Sequence, residues 1–407
     1  MTAISHKKMS GVLLSLCIAI AANSAWSAES LSTAENAMLN DLKQQFQDRP
    51  AADGLLFWNA EQRLTGFSNI AEIYPTRALK TGEELLEFGN TPIDVAKLTY
   101  EVDGEEFTVS DFLSMEAQIG LIVIQDNNIL FENYNHGRNK DDVWISFSVT
   151  KSVTSMLIGA AIKDGYIESV DEPVMNYLPR LRGTAYANAT IKNVLNMASG
   201  VAWNENYGDP NSDVALAGGI NGIELVNYLG KLEVDNLTPG EVFNYNTGET
   251  NLVGEILRSA IGNNASTYLN RKIWKPFGMG EGANWMLDSE DGSELGGCCI
   301  SATLRDYARI GLFAMNGGVL ADGTEVLPES WMQESTEPSQ ALGAYGYLWW
   351  LYGDGQYGAQ GVYGQRIFID PASNLIIAAQ SNTPNIPTPY AFHWQSVLEA
   401  IQNRFAR

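Results

Sequence analysis

Ser148 and Lys151 stand three residues apart, in the stretch Ser148-Val-Thr-Lys151, where a long apolar segment begins. On a helix, positions i and i+3 share a face about 5–6 Å apart, so the lysine amine reaches the serine hydroxyl. That hydroxyl attacks a carbonyl only when a base takes its proton. A lysine becomes such a base once burial or a neighbouring cation pulls its pKa toward neutrality. The pair supplies a nucleophile and a base within one helical turn, without histidine. By itself the pattern is weak, since Ser5-His-Lys-Lys8 repeats it near the N-terminus.

Two further stretches carry groups that acyl transfer needs. Tyr245, in Asn244-Tyr-Asn-Thr-Gly248, precedes an apolar helical run. It reads either as an anchored aromatic or as a phenol that moves protons between nucleophile, lysine and leaving group. Gly361-Val-Tyr-Gly-Gln365 opens what reads as a late strand. Glycines there mark a bulge or a close backbone approach. In the second case the backbone N–H groups of Ser148 and Val362 are the two donors that a developing oxyanion requires.

Other chemistries find little support. The three histidines, His6, His136 and His393, form no cluster with cysteine, and no G-x-S-x-G occurs. No metal site or cofactor is implied. Cys298 and Cys299 are adjacent, and the ring that a bridge between them closes is strained, so two buried thiols are expected. The net charge of −23 argues against nucleic acid and anionic membrane as partners.

The N-terminus carries Lys7 and Lys8, an apolar run from Gly11 to Ala22, and Ala25-Trp-Ser27. That is the pattern of a secretory signal over residues 1–27. The apolar run is short for a membrane span, so cleavage and export to a periplasm or beyond the cell are expected, with no lasting membrane insertion.

The elements that position these residues follow from hydrophobic periodicity. A helix is expected at 34–47, and strands at Lys97–Val102 and Glu106–Val109 flank Asp103-Gly104, a hairpin signal. Ile119–Ile124 is a continuous β-branched run, hence a buried strand, and a second strand starts at Ile129. Val149 to about Asp164 is apolar on nearly every side, which describes a helix sunk in a core. Helices then dominate to about Gly297, and another reads from Leu304 to Met315. Strands return at Tyr345–Leu351, Val362–Ile369 and Leu375–Ala379, and a helix closes the chain from Phe392. Strands at both ends with helices between them predict an α+β fold, one antiparallel sheet flanked by helices with a mainly helical insert.

Together these pieces resemble the serine β-lactamase and penicillin-binding superfamily. Its three elements are S-x-x-K, Y-x-N and K-T-G. Phe147-Ser-Val-Thr-Lys-Ser152, Met197-Ala-Ser-Gly200, Phe243-Asn-Tyr-Asn-Thr247, Arg305-Asp-Tyr-Ala308 and Gly361–Gln365 look most like its class C-related branch. That branch includes carboxylesterases and 6-aminohexanoate-dimer hydrolases. The resemblance implies an extension at 28–115, a hydrolase domain at 116–407 and a helical insert at about 166–300. It assigns catalysis to Ser148, Lys151 and Tyr245, and the oxyanion donors to Ser148 and Val362. It places Tyr207, Thr247, Gly361 and Gln365 at the substrate. Two positions depart from the pattern. Thr247 stands where Y-x-N has asparagine, and Ala359-Gln-Gly361 replaces K-T-G, removing its cation. The expected activity is hydrolysis of small esters or amides through an acyl-serine. β-Lactamase or DD-peptidase activity at the same site, and a non-catalytic binding protein of the same fold, are the alternatives.

Overall fold

The computed structural model describes residues 54–235, 238–384 and 388–406, all within the unit Ala51–Arg407. The expected leader at 1–27 and helix at 34–47 lie outside the described residues. In chain order the first strands are β1 (Thr76–Leu79), β2 (Gly89–Asn90), β3 (Thr99–Val102), β4 (Glu105–Thr108), β5 (Gln118–Gln125), β6 (Asn128–Tyr134) and β7 (Val143–Ile145). Then come β8 (Ala283–Met286), β9 (Ile300–Thr303), β10 (Trp350–Gly353), β11 (Gln356–Gln360), β12 (Arg366–Asp370) and β13 (Leu375–Ser381). Four helices matter for the site: α1 (Val149–Lys163), α2 (Thr247–Ile261), α3 (Leu304–Met315) and α4 (Pro389–Phe405).

The main sheet has seven strands in the order β10-β11-β12-β13-β5-β6-β2. Both ends of the described chain feed it, through the antiparallel pairing of β13 with β5, where Ile377 faces Val123. Side chains alternate across a strand, and here both faces are covered. Leu121, Val123 and Ile377 pack with Tyr390, Trp394 and Val397 of α4. Ile122, Ile124 and Ile376 pack instead into the larger core with α1 and α3. That double burial explains the unbroken β-branched run.

Helix α1 lies in the larger core, and its residues from Val149 to Ala161 are all buried. It ends at Asp164, followed by Gly165 in the left-handed region, as helix ends commonly do. Gly159 is needed for packing: a Cβ there would stand 2.6 Å from the Trp331 ring. A second sheet, ordered β1-β8-β9-β7, brings the approach to α1 beside β9. Ser146 N–H donates to the Ile300 carbonyl at 2.9 Å.

Three expectations change, and one strand is unexpected. The strand expected at Tyr345–Leu351 starts only at Trp350. The glycine stretch 361–365 is the loop between β11 and β12, and the strand begins only at Arg366. Gly361 N–H bonds the Gln365 carbonyl at 2.8 Å, and Gly364, at φ 88°, bonds back to Gly361. Strand β11 escaped notice because Gln356-Tyr-Gly-Ala-Gln360 is small and polar. Cys298 and Cys299 are joined by a disulfide rather than left as thiols.

Candidate active site

Strand β7 delivers the chain to Ser148 through Phe147, whose φ of 45° lies in the left-handed region. A bulky side chain rarely adopts that conformation, and its neighbours must hold it there. They are aromatic: Phe67 and Tyr363 lie 5.0 and 4.8 Å from the Phe147 ring, centroid to centroid. The kinked arrival leaves Ser148 half-exposed at the head of α1. One turn further in, Lys151 is 1% exposed.

The Lys151 amine donates to Thr247 Oγ1 and to the Gly297 carbonyl, each at 3.0 Å. A Cβ at position 297 would stand 2.9 Å from Nζ, so the glycine makes room for the amine. Burial pushes the lysine pKa down to about 8, while the Glu205 carboxylate pulls it partly back. The Ser148 hydroxyl lies close enough to the Tyr245 phenol to pull its raised pKa partly back. The Tyr245 ring centroid lies 5.4 Å from Lys151 Nζ, and the ring stacks on Trp350 beside Tyr345 and Phe243. Burial first, and the Glu205 charge second, hold the Tyr245 phenol far above its usual pKa. Near neutrality the phenol therefore keeps its proton. Lys151 is the group of the two that can be found neutral and act as base.

Glu205, which no sequence motif marks, ties this site together. Thr247 donates to its carboxylate through both the backbone N–H, at 3.0 Å, and the hydroxyl. Tyr207 donates at 2.6 Å, and Trp203 Nε1 donates as well. The Thr247 hydroxyl thus accepts from Lys151 while it donates to Glu205, linking the amine to a carboxylate through one oxygen. Thr247 stands where the family pattern has asparagine; it lines the cleft, and its hydroxyl bonds Lys151 and Glu205. A carboxylate flanked at two residues on each side by Trp203 and Tyr207 was the available sequence signal, but nothing in it points to Lys151.

Ser148 and Val362 line the same cleft. Neither backbone N–H donates a hydrogen bond among the described residues. The loop carrying Val362 is tied from both sides. Tyr363 OH donates to the Leu56 carbonyl at 2.7 Å, and Gln365 Oε1 accepts from Tyr363 N–H at 3.2 Å. Gln365 is fully buried and its Nε2 donates to the Ser381 carbonyl. It braces the loop and does not reach the cleft, contrary to the expected substrate contact. Gly361 is needed in the same brace, since a Cβ there would stand 2.7 Å from the Ser146 carbonyl. Tyr207 does line the cleft.

The cleft holds about 320 Å³. Leu55, Leu56 and Phe57 wall one side; Val214, Met286, Leu295 and the Cys298–Cys299 pair line the rest. No lysine or arginine is among its lining residues, and Asp288, its one charged lining residue, accepts from the Asn221 and Ser293 N–H groups. Ala359, at the expected cation position, is a buried residue of β11. His393 lies across the main sheet, bonded to Tyr100 OH at 2.8 Å.

The Beta-lactamase family model matches residues 115–402. The chain is 26% identical over 363 residues to the 6-aminohexanoate-dimer hydrolase of Paenarthrobacter ureafaciens, covering 82% of this chain and 88% of that protein. Among solved structures it resembles a candidate 6-aminohexanoate-dimer hydrolase from Bacillus anthracis, with a TM-score of 0.76 at 20% identity. The match covers 87% of this chain and 97% of that one. A family VIII carboxylesterase follows the same fold, with a TM-score of 0.56 at 16% identity, over 72% and 95% of the two chains.

Proposed function

Because the chain belongs to the Beta-lactamase family, a family of hydrolases, we propose that it cleaves small esters or amides through an acyl-enzyme on Ser148. One observation carries this reading: the buried Lys151 amine is held by two oxygens one turn from Ser148, whose hydroxyl influences the nearby Tyr245 phenol. Neutral Lys151 takes the Ser148 proton as Oγ attacks the carbonyl carbon. The oxyanion forms between the Ser148 and Val362 N–H groups. Tyr245 passes the proton to the leaving oxygen or nitrogen, which departs as alcohol or amine. Water then attacks the acyl-serine by the same route and frees the acid.

The apolar cleft and the alanine at position 359 favour simple acyl compounds over β-lactams. The names of the relatives, a 6-aminohexanoate-dimer hydrolase and a carboxylesterase, point the same way. The decisive experiment is a panel of p-nitrophenyl butyrate, a linear amide dimer and a chromogenic cephalosporin, on wild type and Ser148→Ala. Ester or amide turnover that vanishes in the variant is expected. Turnover that survives it overturns the mechanism, and fastest turnover of the cephalosporin overturns the substrate class.

We also place the enzyme outside the cytoplasm, on the charged, apolar and small-residue order of 1–27. A mature N-terminus near residue 28 in the exported fraction is the expected result. An uncut chain in the cytoplasm counts against it.

A further inference from the structure

A second cavity of about 200 Å³ adjoins the cleft and shares Leu56, Phe57 and Tyr207 with it. Arg63 lines it, and no other lysine or arginine is among the lining residues of either space. Arg63 sits in the short helix Ala60–Gly66 and is 7% exposed. Its Nε donates to the Asn382 carbonyl at 3.1 Å and its Nη1 to the Trp58 carbonyl at 2.6 Å. Its Cζ lies 5.2 Å from the Tyr363 ring centroid. Those groups offer partial charges only. Among the described residues no carboxylate pairs with Arg63, and its Nη2 makes no hydrogen bond.

A buried charge without a counter-charge is costly. A lysine can escape by losing its proton, and burial brings the Lys151 pKa down to about 8; a guanidinium cannot. Its planar fork matches a carboxylate. Leu56, Phe57 and Tyr207 border both spaces, so a substrate reaching from one to the other passes mainly apolar side chains. At a net charge of −23 the protein as a whole repels anions. Any preference for an anionic substrate must therefore come from a local contact.

We propose that this annex is an anion subsite, in which Arg63 binds a carboxylate carried by the substrate several atoms from the scissile carbonyl. It rests on the acyl-transfer reading above and narrows its substrate to chains with an apolar middle and an anionic end. The position differs from the missing K-T-G cation, because Arg63 comes from the leading segment rather than from β11.

Two matched pairs of substrates test it. Mono-p-nitrophenyl adipate and its methyl ester differ in a carboxylate on the acyl side. N-hexanoyl-6-aminohexanoate and its primary amide differ in one on the leaving side. Wild type is expected to prefer the carboxylate member of at least one pair by about tenfold or more in kcat/KM, mainly through KM. Arg63→Met should erase that preference and Arg63→Lys should keep part of it. A wild type without preference overturns the proposal. So does an Arg63→Met enzyme that loses both members equally, because a purely structural tie would act that way. Should Arg63→Met fail to fold, wild type hydrolysing p-nitrophenyl butyrate decides. Adipate must then inhibit at lower concentration than adipamide, and equal inhibition overturns the subsite. Failure of the acyl-transfer reading is seen separately, as cleavage of the neutral members by Ser148→Ala.

Discussion

Around Lys151 the protein places a hydroxyl, a carbonyl and, one oxygen further, the Glu205 carboxylate. Around Arg63 it places two carbonyls and the face of a tyrosine. Both cations are buried, and neither has a carboxylate bonded directly to it. The difference lies in what burial does to each. It brings the lysine pKa down to about 8, so that the amine can serve as a base. It leaves the guanidinium charged and so leaves an attraction for an anion. Desolvation is thus one physical cause with two chemical results, decided by whether the side chain can release a proton near neutral pH.

The comparison breaks first at the proposed nucleophile. Ser148→Ala should lower kcat by about 10⁴-fold or more, read as hydrolysis of p-nitrophenyl butyrate. Lys151→Met should lower it by about 10²–10⁴-fold while raising thermal stability at pH 6. Wild type must bury a charge at that pH, whereas the variant does not. The folded pKa lies below the unfolded one, so wild-type stability recovers as pH rises from about 8 toward 10.5. The stability gap between the two proteins should close over that window. A gap independent of pH would show that burial does not discharge Lys151.

Gly297→Ala comes next. Its methyl group crowds Nζ, so kcat should fall about tenfold or more while the melting temperature moves little. Equal losses in both would assign the glycine to packing. The smallest expected effect sharpens the comparison most. Wild-type kcat/KM should rise with pH and level off above about 8, as Lys151 loses its proton. Glu205→Gln removes the charge that raises the lysine pKa, so the limb should shift to lower pH. An unmoved limb would reduce Glu205 to an anchor for Thr247 and Tyr207.

How far the chain could be read beforehand depended on sequence distance. Ser148 and Lys151 share one turn, and the all-round apolar character of Val149–Lys163 already implied desolvation of the amine. The sheet formed from both ends of the chain followed from the β-branched runs that became β5 and β13. Glu205 could not be found that way, because its bonds reach Thr247, 42 residues on, from a loop without periodicity. Leu55–Phe57 and Arg63 escaped for the same reason: their neighbours, Tyr363 and Asn382, lie near the other end of the chain. The glycine stretch was correctly marked as a close approach but wrongly given to a strand. Gly and Gln recur in both settings, and only the bonds between Gly361, Gly364 and Gln365 distinguish a loop.

The bond from Tyr363 OH to the Leu56 carbonyl joins the segment that walls the cleft to the loop that presents the Val362 N–H. Recognition and rate are therefore not independent modules in this enzyme. A segment spanning residues 54–58 grafted from a relative to change chain-length selectivity would also move the proposed oxyanion donor. Directed evolution of substrate range should accordingly recover paired changes in 54–58 and 361–365 more often than changes in either alone.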